Sequence, residues 1–298
     1  MLIDVHTHTP RHRERPQEEP NGSFSAIWRP GQRIPTTFTW ADYLEAIEPV
    51  DRAIVFNIAA DPRGGHVDGS GIEHLMYEAR QVNDDTAAFV RAYPDKLIGF
   101  LSVHPHDPGV LEEIERATQD LGLRGIKLGP NYQNFDPLGP EAFRVFRRAE
   151  ELGLPILLHQ GASPVQFADL DYAHPRHIDR VAMAFPSLKI VMAHMGHPWQ
   201  ADCCVVIRKH PNVYADISAQ FYRPWSYYNA LRLATEWGVL DKLLFGSDYP
   251  FATPRETLDA LYRVNDVIEG TRLPPVPIRE LERIAQRDSL ALLGLAER

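Results

Sequence analysis

The sequence predicts an α/β chain folded as a closed (β/α)8 TIM barrel, and three observations carry that prediction. First, eight short apolar runs rich in β-branched residues recur along the 298 residues, separated by longer amphipathic stretches. Second, several of those stretches end in Gly or Pro directly before the next run, as in Leu152-Gly153-Leu154-Pro155 and Phe185-Pro186-Ser187-Leu188. Third, the runs are nearly continuous in apolar residues, the mark of parallel strands buried on both faces under helices. Eight such units over this length fit a barrel better than an open sheet, and residues 1–298 are expected to form one domain.

The elements follow in order. Strand one, Leu2 to Val5, leads into a Pro- and Arg-rich connection, Thr9 to Thr39, too long for a turn and expected as a lid over the barrel mouth or as disorder. Strand two, Ala53 to Ile58, is followed by the Gly-rich segment Asp61 to Gly71, read as a flexible active-site loop because the spacing of a phosphate-binding loop is absent. A helix over Ile72 to Tyr93 then precedes strand three, Leu97 to Val103, and a helix over Val110 to Leu121 precedes strand four, Arg124 to Leu128. Strand five, Pro155 to Leu158, follows a helix over Glu141 to Leu152, and strand six, Leu188 to Val191, follows one over His177 to Phe185. A helical stretch holds Cys203 and Cys204 before strand seven, Asn212 to Ile217, and Trp225 to Trp237 is the helix before strand eight, Leu243 to Phe245. The tail from Pro277 to Leu295 reads as one amphipathic helix packed on the barrel through Ile278, Leu281, Ile284 and Leu292.

Composition excludes several function classes. Lysine and arginine number 31 against 40 aspartate and glutamate, a net charge of -9, so the basic stripe a nucleic-acid binder needs is missing. No apolar run is long enough to span a membrane, and the first residues carry no secretory signal, so a cytoplasmic protein is expected. Two adjacent cysteines cannot form an ordinary disulfide and suit a reducing compartment. No G-x-G-x-x-G opens a helix after a strand, which removes the main dinucleotide-binding reading.

The chemistry lies where histidines and one aspartate fall relative to the strands, because a barrel builds its active site at the C-terminal strand ends. Strand one ends in His6-Thr7-His8, whose two imidazoles share a face at a side-chain period of two. His159 ends strand five, His194 ends strand six, and Asp248 tips strand eight. Imidazoles from strands one and five with the strand-eight carboxylate can converge above the barrel axis as ligands of a divalent metal. Such an ion polarises a substrate oxygen and lowers the pKa of bound water toward about 7. One Zn²⁺ is the expectation, although Mn²⁺, Fe²⁺ and Co²⁺ accept the same donors.

The motifs Ile3-Asp4-Val5-His6-Thr7-His8, Gly125-Ile126-Lys127-Leu128, Leu158-His159, Ala193-His194-Met195-Gly196-His197 and Gly246-Ser247-Asp248-Tyr249-Pro250-Phe251 resemble those of the amidohydrolase superfamily. More narrowly they are similar to its amidohydrolase-2 branch, which includes aminocarboxymuconate-semialdehyde decarboxylase-like enzymes. The resemblance spans the chain in order. It implies a TIM barrel, a divalent metal held by His6, His8, His159 and Asp248, and an acid/base or water-orienting role for His194. Histidine's pKa suits that task, and Asp248 can serve as ligand, base or both.

Lys127 on strand four is expected to bind a substrate carboxylate or pair with Asp248, or else to be carboxylated and bridge two metals. Arg223, beside Tyr222 and Trp225, could clamp a carboxylate bidentately, and His104 at the end of strand three could line the pocket. His197 stands where many relatives carry glycine. The preferred reading is a hydrolase that attacks a small carboxylated ester, lactone or amide with metal-bound hydroxide. The alternative is a non-oxidative decarboxylase of a small unsaturated or aromatic acid, and a third, non-catalytic ligand-binding barrel has no residue in its favour. The expected partner is a small-molecule substrate, with a homodimer through the Phe221 to Tyr228 loop or the C-terminal helix.

Overall fold

The computed structural model describes residues 1–17, 24–29, 31–64 and 75–296. All eight anticipated strands are present: β1 (Ile3–His8), β2 (Arg52–Phe56), β3 (Leu97–Gly99 with Leu101–Ser102), β4 (Ile126–Leu128), β5 (Ile156–Leu158), β6 (Ile190–Met192), β7 (Val213–Asp216) and β8 (Leu243–Leu244). Each is parallel to its sequence neighbours, and Phe100, between the two parts of β3, gives its N–H to Val55 O of β2 at 3.0 Å. The ring closes where β1 meets the end of β8, through Val5 N–H to Phe245 O at 3.0 Å and His8 N–H to Tyr249 O at 2.8 Å.

Residue alternation along these strands sorts side chains into two cores. Ile126, Leu128, Ile156, Leu158, Ile190 and Met192 face outward to the helices, while Ile54, Phe56, Leu157, Val191, Tyr214 and Leu244 fill the barrel interior. The interior is stoppered by the C-terminal segment through Leu290, Leu293 and Leu295. That segment differs from the single helix the tail predicts. It forms α9 (Ile278–Ala285) and α10 (Ser289–Leu293), the second started by Asp288, whose carboxylate accepts the Ala291 N–H at 3.0 Å. Ile278, expected in the interface, is 65% exposed, whereas Leu281 and Ile284 are buried.

Around the barrel run α2 (Ala79–Ala92), α3 (Val110–Gln119), α4 (Pro140–Leu152), α5 (Arg176–Ala184), α6 (Gln200–Lys209) and α7 (Pro224–Trp237). The predicted start of α2 at Ile72 is not observed, because Met76–Tyr77 pairs as a strand with Ile58–Ala59, and residues 65–74 lie outside the described residues. Two further helices, α1 (Trp40–Ala46) and α8 (Pro254–Tyr262), each begin with a capping box, Thr39 with Asp42 and Thr253 with Glu256. The described part of the Thr9 to Thr39 connection does cover the mouth. Arg29 in it pairs with Glu256 at 3.0 Å, and Trp28 packs at a tilt against Phe251 with ring centres 4.7 Å apart. Among the described residues no helix is long and apolar enough to cross a membrane.

Candidate active site

A β-bulge places the first two site residues. Ile3 and Val5 already face the barrel interior, so strict alternation would turn His6 outward. Between Asp4 and Thr7, β1 advances one residue more than its partner β2, and the shift brings His6 and His8 inward. Thr7 turns out instead, donating its hydroxyl to Ile54 O at 2.7 Å and accepting from Tyr43 of α1 at 2.7 Å. Buried Asp4 ties the two strand ends together, its Oδ1 accepting His6 N–H at 3.1 Å and Ser247 N–H at 3.0 Å. Burial raises its pKa to about 7.

His6 Nε2 stands 3.1 Å and His8 Nε2 3.3 Å from the same Asp248 Oδ1. Each offers one ligand atom, and these three buried atoms lie within 4.8 Å of one another. Two imidazole nitrogens and a carboxylate oxygen meeting at one point suit a divalent transition metal, so the residues fit the ion that the sequence implies. Burial favours the neutral form of Asp248, but His6 and His8 outweigh it and hold the carboxyl well below the ordinary range. Burial also brings the His8 and His194 imidazoles down to about 4, leaving both neutral at pH 7.

Asp216 at the end of β7 holds the site's histidines in register. Its Oδ2 accepts the Nδ1–H of His6 at 2.9 Å, which leaves His6 Nε2 free to ligate. Its Oδ1 accepts the backbone N–H groups of His194 and Ser218, both at 3.0 Å, and the Ser218 hydroxyl. With its hydroxyl committed to Asp216, Ser218 Oγ accepts the Nδ1–H of His194 at 2.8 Å, so His194 Nε2 carries the free lone pair. His6, His194 and Asp216 also form a compact donor group, but their close approach is occupied by these hydrogen bonds, and we read Asp216 as orienting rather than ligating. The sequence shows Asp216-Ile217-Ser218 closing strand seven without revealing this role. The signal was its i, i+2 spacing, which puts both side chains on the inner face.

Other expected residues separate. His159 lies outside the three-atom group: Tyr132 Oη is 2.7 and 2.8 Å from its ring nitrogens, and Nε2 is 3.1 Å from Gly161 O. It lines the same pocket as His6, His8 and Asp248. His104 is not among the described residues that line this pocket. Its Nε2–H donates to Gln133 O at 2.5 Å and its Nδ1 accepts the His106 N–H at 3.2 Å, so both nitrogens brace the loops after β3 and β4. Lys127 does reach the pocket floor, with Nζ 3.4 Å from His6 Nε2 and 4.5 Å from the centre of the Phe56 ring. The expected ion pair with Asp248 does not form within 4.0 Å among the described residues. Burial lowers the Lys127 pKa to about 8 against the pull of Asp248 and Asp216. Arg223 sits at the rim on the Tyr222 ring, 4.8 Å from its centre.

Backbone strain marks the same place. His194, Met195, Ala219 and Asp248 have φ of 56, 48, 54 and 68°, a region most side chains avoid. Gly161 has φ 116°, and a Cβ there would stand 2.5 Å from His197 O and 3.1 Å from His197 N. Beside it, Ala162 N–H donates to that same carbonyl at 2.7 Å. Gly161→Ala should therefore cost about 2–5 kcal/mol, combining a forbidden φ with overpacking against backbone. Thermal unfolding should show a fall on the order of 5–15 °C. Gly238→Ala, at a positive φ with nothing within 4 Å of the added carbon, should cost clearly less. Equal losses for the two would refute the close-approach argument.

Comparison with known proteins agrees with this fold. The amidohydrolase family model matches residues 3–295. The 2-amino-3-carboxymuconate-6-semialdehyde decarboxylase of Dictyostelium discoideum is 30% identical over 82 residues, 27% of this chain and 23% of the relative. Among solved structures, the 5-carboxyvanillate decarboxylase of Sphingomonas paucimobilis shares the fold with TM-score 0.64 and 18% identity, over 99% of each chain. A probable 2-pyrone-4,6-dicarboxylic acid hydrolase of Acinetobacter baumannii does so with TM-score 0.60 and 16% identity, over 98% of this chain and 99% of that one. The chain belongs to the amidohydrolase family.

Proposed function

We propose that this enzyme removes carbon dioxide, without oxidation, from a small planar unsaturated or aromatic carboxylic acid. The observation that carries the reading is the make-up of the pocket. The donor group and Lys127 form a buried polar floor, while Trp28, Tyr132, Tyr222 and Phe251 supply aromatic walls, so a flat ring fits with one charged edge down. The family relative and one structural neighbour are named as decarboxylases, the other neighbour as a hydrolase. Hydrolysis of a carboxylated lactone, ester or amide would use the same donors with water beside the substrate, and is the second reading.

His6, His8 and Asp248 would hold the divalent ion, which when bound supplies a Lewis acid for substrate oxygens. Lys127 faces the same floor and orients the carboxylate edge of the ring. In the reaction the bond from ring carbon to carboxyl carbon breaks and its electron pair stays on the ring. Carbon dioxide leaves, and that carbon takes a proton, so no oxidant or reductant is needed. His194 is placed to carry the proton, because Ser218 fixes its Nδ1–H and leaves Nε2 to accept and return one. The aromatic walls keep water from the departing carboxylate, whose charge is lost as the neutral product forms.

The test is carbon dioxide release from aromatic and muconate-type acids, run beside hydrolysis of lactone, ester and amide panels on the metal-loaded enzyme. Release with no hydrolysis is the expected outcome. Hydrolysis without release would replace this reading by the second one.

A further inference from the structure

We propose that His197 and Arg223 form a second anion subsite at the pocket rim, one that binds a carboxylate on the end of the substrate remote from the reacting group. The inference rests on the pocket being a site for small acids, as proposed above, and narrows the substrate class to dicarboxylates.

Both residues line the pocket and are half-buried, in contrast to the fully buried floor. Arg223 has no carboxylate partner among the described residues, although it lies in a chain with 40 acidic side chains. The neighbouring Arg29 stacks on the same Tyr222 ring, 5.4 Å from its centre, but is matched by Glu256 at 3.0 Å. Arg223 is held rather than loose. Its guanidinium lies on Tyr222, and its backbone N–H donates to Gln220 O at 2.9 Å at the start of α7. An unmatched, oriented guanidinium at a pocket edge is a fork for a bidentate anion.

His197 completes the fork. Gln200 donates its side-chain N–H to His197 Nδ1 at 3.1 Å and to Gln220 Oε1 at 3.2 Å, so the neutral imidazole carries its proton on Nε2. Burial and the nearby Arg223 charge bring its pKa down to about 4, keeping it neutral at pH 7. Its backbone is fixed by the Ala162 N–H and by the close approach of Gly161. The rim therefore presents a cation and a rigid neutral N–H donor. Asp248, at the floor, is the one carboxylate among the described residues that line the pocket. With an overall charge of -9, the molecule has no general attraction for an anion. A dianionic ligand must be selected locally, by Lys127 and the metal ligands at one end and by this pair at the other.

The experiment uses the metal-loaded enzyme and two unreactive probes, benzoate and benzene-1,3-dicarboxylate, titrated calorimetrically at pH 7.5. In the wild type the second carboxylate should strengthen binding about tenfold or more, roughly one charge-assisted hydrogen-bonded contact. Arg223→Gln and His197→Leu should each bring the two affinities to within about threefold while leaving benzoate binding in place. Arg223→Lys should recover only part of the preference, because an ammonium cannot make the bidentate contact. Equal binding of both probes to the wild type would overturn the subsite, as would a preference untouched by either substitution. The decarboxylase reading fails separately: discrimination between the probes without carbon dioxide release keeps the subsite and removes the reaction.

Discussion

Asp248→Asn should abolish turnover while leaving the fold intact, and the reason lies as much in backbone as in charge. Asp248 has φ 68°, where asparagine is among the few residues tolerated, so the substitution keeps both shape and main-chain conformation. Alanine would mix a strained backbone into the result. What asparagine removes is the negative charge facing His6 and His8 at 3.1 and 3.3 Å, and with it the anionic member of the ligand group. Loss of Lewis-acid stabilisation worth several kcal/mol corresponds to about 10³-fold in rate or more. Elemental analysis of protein purified without chelator should find about one transition metal per wild-type chain and much less in the variant. Two metals per wild-type chain would make Lys127 a carboxylated bridge and move the reaction toward hydrolysis. Melting should stay within a few degrees of the wild type, and an active variant would refute the ligand assignment.

The fold was legible because its signals are local and repeated. Every barrel strand follows from an apolar run, and Gly153, at the left-handed end of α4, shows why the breaker preceding β5 was informative. The missed helices carried readable signals as well: Thr39-Trp40-Ala41-Asp42 and Thr253-Pro254-Arg255-Glu256 are both capping boxes, the second with proline at its first turn. They escaped because α1 and α8 are short and follow irregular segments, where periodicity has little length in which to show. The site divides differently. His6, His8, His194 and Asp248 stand out in the sequence because they fall at strand ends, and the structure gathers the four in one pocket. His104 stands at a strand end too and yet braces two loops, since which partner takes a ring nitrogen depends on residues 29 positions away. The β1 bulge explains a subtler case. The two histidines do share the inner face, but only because an extra residue changes the phase after Val5, a shift no period-two count contains. His159, the further ligand that the resemblance implies, lines the same pocket, with Tyr132 Oη 2.7 Å from its Nδ1.

Asp216→Asn should be nearly as damaging although Asp216 lies outside the His6, His8 and Asp248 group. Its two oxygens receive four donors, from His6 Nδ1, His194 N, Ser218 N and Ser218 Oγ. An amide must turn its NH2 toward one side. Facing Oδ1's partners it would oppose three donors, so it will face His6, where it can only meet an acceptor. His6 must then move its proton from Nδ1 to Nε2, the atom that points at Asp248, and the ligating lone pair is lost. A change of this kind beside a metal-binding imidazole typically lowers metal affinity 10- to 100-fold, which competition with a chromophoric chelator measures directly. Nitrogen NMR of the metal-free protein, recorded at a pH high enough to keep His6 neutral because, against burial, Asp216 and Asp248 raise its pKa, should show the exchanged His6 tautomer, a readout that general destabilisation would not give. The pH dependence of stability supplies an independent check. Burial alone would raise the Asp216 pKa, but His6, His194 and Ser218 depress it far below the ordinary value. The unfolded chain then binds the extra proton first, so the stabilisation is fully present above about pH 4 and is lost as pH falls below it. The metal-free variant should lack that acid limb, and unchanged metal affinity together with an unchanged limb would show that Asp216 does not hold His6.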